Sequence, residues 1–115
     1  MLLGLGAVLM LAGGCRQHDY RTLAINVPDM HNEACGQVVV KALSRMPGAQ
    51  GASLKLDYES RTATLVYDSL LASDKNAEYL IAEAGFRVIS KSLGKTFEIP
   101  ADPKAAAALP AECRP

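Results

Sequence analysis

The 115-residue chain has no tryptophan and only 5% aromatic residues, which leaves no platform on which nucleic-acid bases could stack. Neither sign of charge is in excess. Twelve Lys and Arg balance twelve Asp and Glu, so nothing electrostatic draws the chain to nucleic acid or to a strongly acidic partner. No Ser/His/Asp set, phosphate loop or paired-carboxylate site is legible, and the chain is expected not to be an enzyme. Long apolar runs are missing too. Residues 1–14, "MLLGLGAVLMLAGG", fall short of the about 20 apolar residues that a ~30 Å bilayer core requires. What is present is an ordinary globular composition, 50% apolar, with length for one domain.

The short apolar start reads as the apolar part of an export signal. Small residues Ala12, Gly13 and Gly14 lead into Cys15, and "LAGGC" resembles a bacterial lipoprotein signal. The resemblance implies cleavage before Cys15 and lipidation of that residue. The protein would then sit in the cell envelope, on a periplasmic or outer membrane face, since each buried lipid CH₂ contributes ~0.8 kcal/mol. A plain secretory signal or a frayed apolar terminus would produce the same composition. Residues 15–20 form a tether in which His18 reads as solvated. An exported chain meets an oxidising compartment, where the remaining cysteines, Cys35 and Cys113, are able to pair.

From residue 21 the patterning is that of a folded domain, expected to run to 94. "RTLAINVP" places Leu23, Ile25 and Val27 on one face at period two, and Pro28 ends this strand. From Asn32 the period becomes helical. Cys35, Val38, Val39, Ala42, Leu43 and Met46 share a face, and either Asp29 or Asn32 is suited to cap the start. Pro47 and Gly48 stop this helix. "GASLKLDY" and "TATLVYD" alternate as strands across the short polar "ESR". "ASDKNAEYLIAEAGF" reads as a second helix closed by Gly85, and "FRVISKSL" as a fourth strand. The order predicts an α+β, ferredoxin-like βαββαβ sandwich, with two helices on one face of a four-stranded antiparallel sheet. Residues 95–115 are rich in Ala and Pro. "TFEI" could add an edge strand and "AAAAL" one helical turn, with the rest a mobile tail.

Three stretches, "DMHNEACGQVVVKAL", "MPGAQGASLKLDYESRTATLVYD" and "LIAEAGFRV", resemble the heavy-metal-associated domain family. That family includes copper chaperones, modules of metal-exporting ATPases and a periplasmic mercury-binding protein. The resemblance covers about residues 22 to 90. It implies a protein that binds or hands on a soft ion such as Cu(I), with a metal transporter or chaperone as partner. In the family two loop cysteines hold the metal. Here Asn32 stands at the first of those positions and Cys35 at the second. Met30 matches a family methionine that usually packs under the loop, and Phe86 matches an aromatic that covers it. Acylphosphatases share the element order, but they need an arginine in the loop after the first strand, and "PDMHNEACG" has none.

The residues themselves support a site with alternatives. Cys35 falls in the first turn of a helix, where unpaired N–H groups and the macrodipole favour a thiolate. Thiolate and thioether donors suit Cu(I), and imidazole is acceptable to it. The candidate ligands are therefore Cys35, His31, Met30 and Cys113. The same Cys35 is equally placed to be a small hydrophobe on the apolar stripe. Cys113 has three open uses: it could replace the thiolate missing at position 32, form a disulfide with Cys35, or bond to another protein. The Cys35 sulfur is expected to be reachable from solvent, and an ion-carrying role fails if it is sealed in the interior with no second donor able to approach. A degenerate module without metal, used for protein contact or thiol redox, is the alternative.

Overall fold

A computed structural model describes residues 17–114. The expected export signal and Cys15 lie outside the described residues. The elements run β1 (Tyr20–Asn26), α1 (Glu33–Leu43), β2 (Ala49–Asp57), β3 (Thr62–Asp68), α2 (Asp74–Glu83), β4 (Val88–Ser92), β5 (Lys95–Ile99), a short α3 (Pro103–Ala107) and a 3₁₀ turn (Ala111–Cys113).

The sheet is antiparallel with order β2-β3-β1-β4-β5. β3 inserts between β1 and β2, as the split βαβ arrangement requires. The register Ile25↔Ala63 and Leu23↔Leu65 puts the alternating apolar residues of both strands on one face. α1 contributes Cys35, Val39, Ala42 and Leu43 to the core above it. α2 contributes Ala77, Ile81 and Ala82. Met46, Val27 and Phe86 complete the same buried cluster.

Local chemistry sets the helix ends, although α1 stops at Leu43 with Ser44 as its cap, before Pro47 and Gly48. The Asn32 side chain accepts from the Cys35 N–H at 3.0 Å, so Asn32, not Asp29, caps α1. The Asn76 side chain accepts from the Ser73 N–H at 2.7 Å and secures the start of α2. At its far end Gly85, with φ 112°, permits bonds from Gly85 N to Ala82 O and from Phe86 N to Ile81 O. That is the Schellman arrangement.

Two expectations are corrected. The sheet has five strands, not four. β4 turns back through Leu93 and Gly94, with φ of 53° and 76°, and pairs with β5 from Val88↔Ile99 to Ser92↔Lys95. A two-residue loop with both residues at positive φ has the twist that suits a hairpin. Residues 95–113 are also no loose tail, because Ile99, Leu109 and Cys113 all join the core. Leu93 is 98% exposed and buries nothing in return for its left-handed backbone. Leu93→Asn is therefore expected to stabilise the fold by about 1 kcal/mol. The check is a shift of the urea midpoint at unchanged slope.

His18 is not simply solvated. Its Nδ1 lies 3.0 Å from Asp68 Oδ2. The buried Asp68 carboxylate also accepts from the N–H groups of Asp19 and Leu70 at 3.1 and 3.0 Å. These bonds, His18 first, hold the Asp68 carboxyl below the usual carboxylate range. The start of β1 is thereby tied to the end of β3.

Candidate metal centre

The loop between β1 and α1 is pinned from three sides. Val27 N donates to Arg61 O at 2.8 Å and Met30 N to Val27 O at 3.0 Å. The Arg61 guanidinium donates to Pro28 O at 3.3 Å. Arg87 joins Asp29 Oδ2 at 3.1 Å to Glu98 Oε1 at 3.0 Å, linking the loop to β5. The two carboxylates raise the Arg87 pKa further, Asp29 contributing first.

Each predicted site residue has a definite place on this frame. Met30 is fully buried in the core beneath the loop. His31 is exposed, and its Nδ1 is 2.8 Å from the Asp29 carbonyl. A carbonyl only accepts, so the proton sits on Nδ1 and the lone pair on Nε2. Cys35 lies in the first turn of α1 and is 0% exposed, which overturns the expectation of a solvent-reachable sulfur. Phe86, immediately after the α2 cap, is 1% exposed. It lines a cavity of about 280 Å³ together with Leu109, Arg87 and Cys113.

Cys113 completes the arrangement. After β5 the chain crosses the end of α2, where Asp102 N donates to Ala82 O at 2.9 Å. α3 then lies directly on Gly85, whose missing side chain leaves room for the backbone of Ala105 and Ala106. Leu109 anchors the next turn in the core. The 3₁₀ turn delivers Cys113 to α1, where it forms a disulfide with Cys35 at a Cα–Cα separation of 5.3 Å. Of the three uses open to Cys113, the structure shows this one.

Asn32 joins the two cysteine-bearing segments. While its Oδ1 caps α1, its Nδ2 donates to the Glu112 carbonyl at 3.1 Å. Asn32 Oδ1 is also 3.9 Å from Cys113 Sγ, and Glu112 O is 3.9 Å from Cys35 Sγ. Capping at Asn32 is legible in the sequence, three residues before Cys35. The bond to a main-chain carbonyl 80 positions away has no sequence signal at all. Gly85 is likewise readable as a helix stop but not as the seat of α3.

Chemically, a disulfide offers no thiolate, and the thiolate is the metal ligand. Addition of two electrons would leave two sulfurs facing each other at the N-terminus of α1. Two such thiolates form a donor set that suits a soft ion. Among the described residues no group of three or more His, Cys, Asp and Glu is arranged to hold a metal. That directs attention to the cysteine pair.

The model of the heavy-metal-associated domain family matches residues 24–82, just over half of the 115-residue chain. The match begins within β1 and ends within α2, so Cys113 lies beyond it. Among solved structures, the crystal structure of oxidized MerP from Ralstonia metallidurans CH34 is similar to this chain. The identity is 28% and the TM-score 0.55, over 59% of this chain and 92% of that one. No curated protein matches.

Proposed function

The chain belongs to the heavy-metal-associated domain family, and on that premise we propose that it binds or hands on a soft heavy-metal ion such as Cu(I). The ion is held between the thiolates of Cys35 and Cys113 once their disulfide is reduced. One observation carries the proposal: Cys113 meets Cys35 beside Asn32. The chain has lost the first cysteine of the family loop, and a second sulfur arrives at the same place from the C-terminal segment. The lone pair on His31 Nε2 makes that residue a secondary donor. Met30, sealed beneath the loop, supports it by packing. A lipid on Cys15 would hold this domain at the cell envelope, within reach of a membrane metal transporter or a chaperone.

The test is an anaerobic Cu(I) titration against a competing chelator. The protein is first reduced with a phosphine, which is then removed. One ion per chain is expected. Cys35→Ser and Cys113→Ser should each weaken binding at least ~100-fold, because each removes half of a thiolate pair. His31→Ala should change affinity only a few-fold, and the disulfide form should take up no ion. Unaltered binding by Cys113→Ser would sink the two-sulfur site.

The observed disulfide also favours a second reading, in which the module carries no metal and the bond is permanent. Thiol titration of freshly isolated protein separates the two. Two free thiols argue against a permanent bond, and none argues for it.

A further inference from the structure

We propose that Cys113 is the sulfur through which a dithiol reductant opens the Cys35–Cys113 bond, with Cys35 released first as a thiolate and Asn32 acting as the clasp that delays opening. The inference deepens the metal-pair reading and rests on it, since an ion can be loaded only after this step.

Both sulfurs are fully buried, so neither is attacked without local opening. The two cysteines differ in what must move. Cys35 lies in the first turn of α1, between Asn32 and Val39 of the central helix. Exposing it means unwinding the helix start and parting the core. Cys113 lies in a single 3₁₀ turn of three residues, Ala111–Cys113. That turn is held by Cys113 N to Pro110 O at 2.8 Å, Arg114 N to Ala111 O at 3.4 Å, Arg114 Nε to Leu109 O at 3.1 Å, and the Asn32–Glu112 bond at 3.1 Å. Short turns held by few bonds open at lower cost than core helices. The cavity beside Phe86 and Leu109 has Cys113 among its lining residues and not Cys35, so space already adjoins the residue that opens first.

The chemistry runs the same way. A reductant thiolate attacks Cys113 Sγ, and a new sulfur–sulfur bond forms there. The Cys35–Cys113 bond breaks, and its electron pair leaves on Cys35 Sγ. That leaving thiolate sits in the first turn of α1, at the positive end of the helix dipole. A stabilised thiolate is the faster leaving group. The second thiolate of the reductant then attacks its own sulfur in the mixed disulfide and expels Cys113. The reductant ends as a disulfide, and two electrons have passed to the cysteine pair. The two thiol protons go to solvent or to the released thiolates.

Asn32 is a positioning residue in this scheme. Its Oδ1 caps the helix and its Nδ2 clasps Glu112. Asn32→Asp retains the cap, because Asp serves as well at that position, and removes the clasp donor.

Two measurements decide it, neither involving metal. In the first, the oxidised protein is exposed briefly to reduced glutathione, acid-quenched, alkylated and mapped by mass spectrometry. Glutathione is expected on Cys113 with the alkyl group on Cys35, and the reverse placement overturns the assignment. In the second, opening by dithiothreitol is expected to be roughly 5- to 10-fold faster in Asn32→Asp, the scale of one hydrogen bond. The reduced proteins should meanwhile unfold at matching midpoints. A wild-type opening rate in Asn32→Asp overturns the clasp. The metal titration uses phosphine-reduced protein, so its failure is distinguishable from failure here.

Discussion

Cys113→Ser is expected to lower the stability of the folded domain by about 4 kcal/mol, through the loop closure that a disulfide imposes on the unfolded chain. Cys35 and Cys113 are separated by 78 positions, so the bond closes most of the domain into one ring. For a domain of this size that loss corresponds to a fall of roughly 15–30 °C in Tm. Total stabilities are commonly only about 5–15 kcal/mol, so the variant is expected to lie near the edge of folding at 37 °C. Thermal unfolding followed by circular dichroism checks it, comparing oxidised wild type, wild type in reductant and Cys113→Ser. The last two should coincide. A difference under ~1 kcal/mol between oxidised and reduced wild type would mean that the C-terminal segment constrains little. The reduced wild type should regain stability with a bound soft ion, by about 4 kcal/mol when free ion exceeds Kd a thousandfold. Metal and disulfide are thus alternative staples on the same two sulfurs.

The second large effect is expected at Gly85. Its φ of 112° is reached at little cost only by glycine. A Cβ built there would stand 2.8 Å from the Ala105 carbonyl carbon and the Ala106 nitrogen. Both are backbone atoms, so no flexible side chain is available to give way. Gly85→Ala therefore carries a conformational cost and a steric one, together about 2–4 kcal/mol. Gly94→Ala is the comparison. Gly94 also has a positive φ, 76°, but nothing within 4 Å of the added carbon, and the cost there should be about 1 kcal/mol. Relief of the clash means lifting α3 from its seat, which also loosens the turn bearing Cys113. Gly85→Ala should consequently show faster reduction of the disulfide as well as a lower unfolding midpoint. Equal losses at Gly85 and Gly94 would show that α3 does not press on Gly85.

These two sites mark the limit of what could be read along the chain. The period-two stretches around Leu23–Val27 and Ala63–Tyr67, the helical stripe from Cys35 to Leu43, and the stop at Gly85 all reappear in the structure, while α1 ends at Leu43, ahead of the Pro47–Gly48 turn. Each is a local pattern, set by residues within a few positions of one another. "TFEI" and "AAAAL" do contribute the strand and the helical turn that the sequence allows, but prolines and alanines carry no periodic signal that would mark the C-terminal segment as docked. Its order depends on Ile99, Leu109 and Cys113 finding the core from afar. The β4–β5 turn has little local signal, because leucine at position 93 does not mark a left-handed residue.

For the site the division is sharper. The chain alone determined a ferredoxin-like framework of the heavy-metal-associated kind, and a lone loop cysteine at the start of its first helix. Tertiary structure alone decided that this sulfur is sealed rather than open, and that its partner comes from the far end of the chain. It also decided that Asn32 spans the two. The physical reason is distance: hydrophobic period and capping act over one or two turns. A contact across 78 residues exists only after a sheet, two helices and a glycine seat have set where the terminal turn comes to rest.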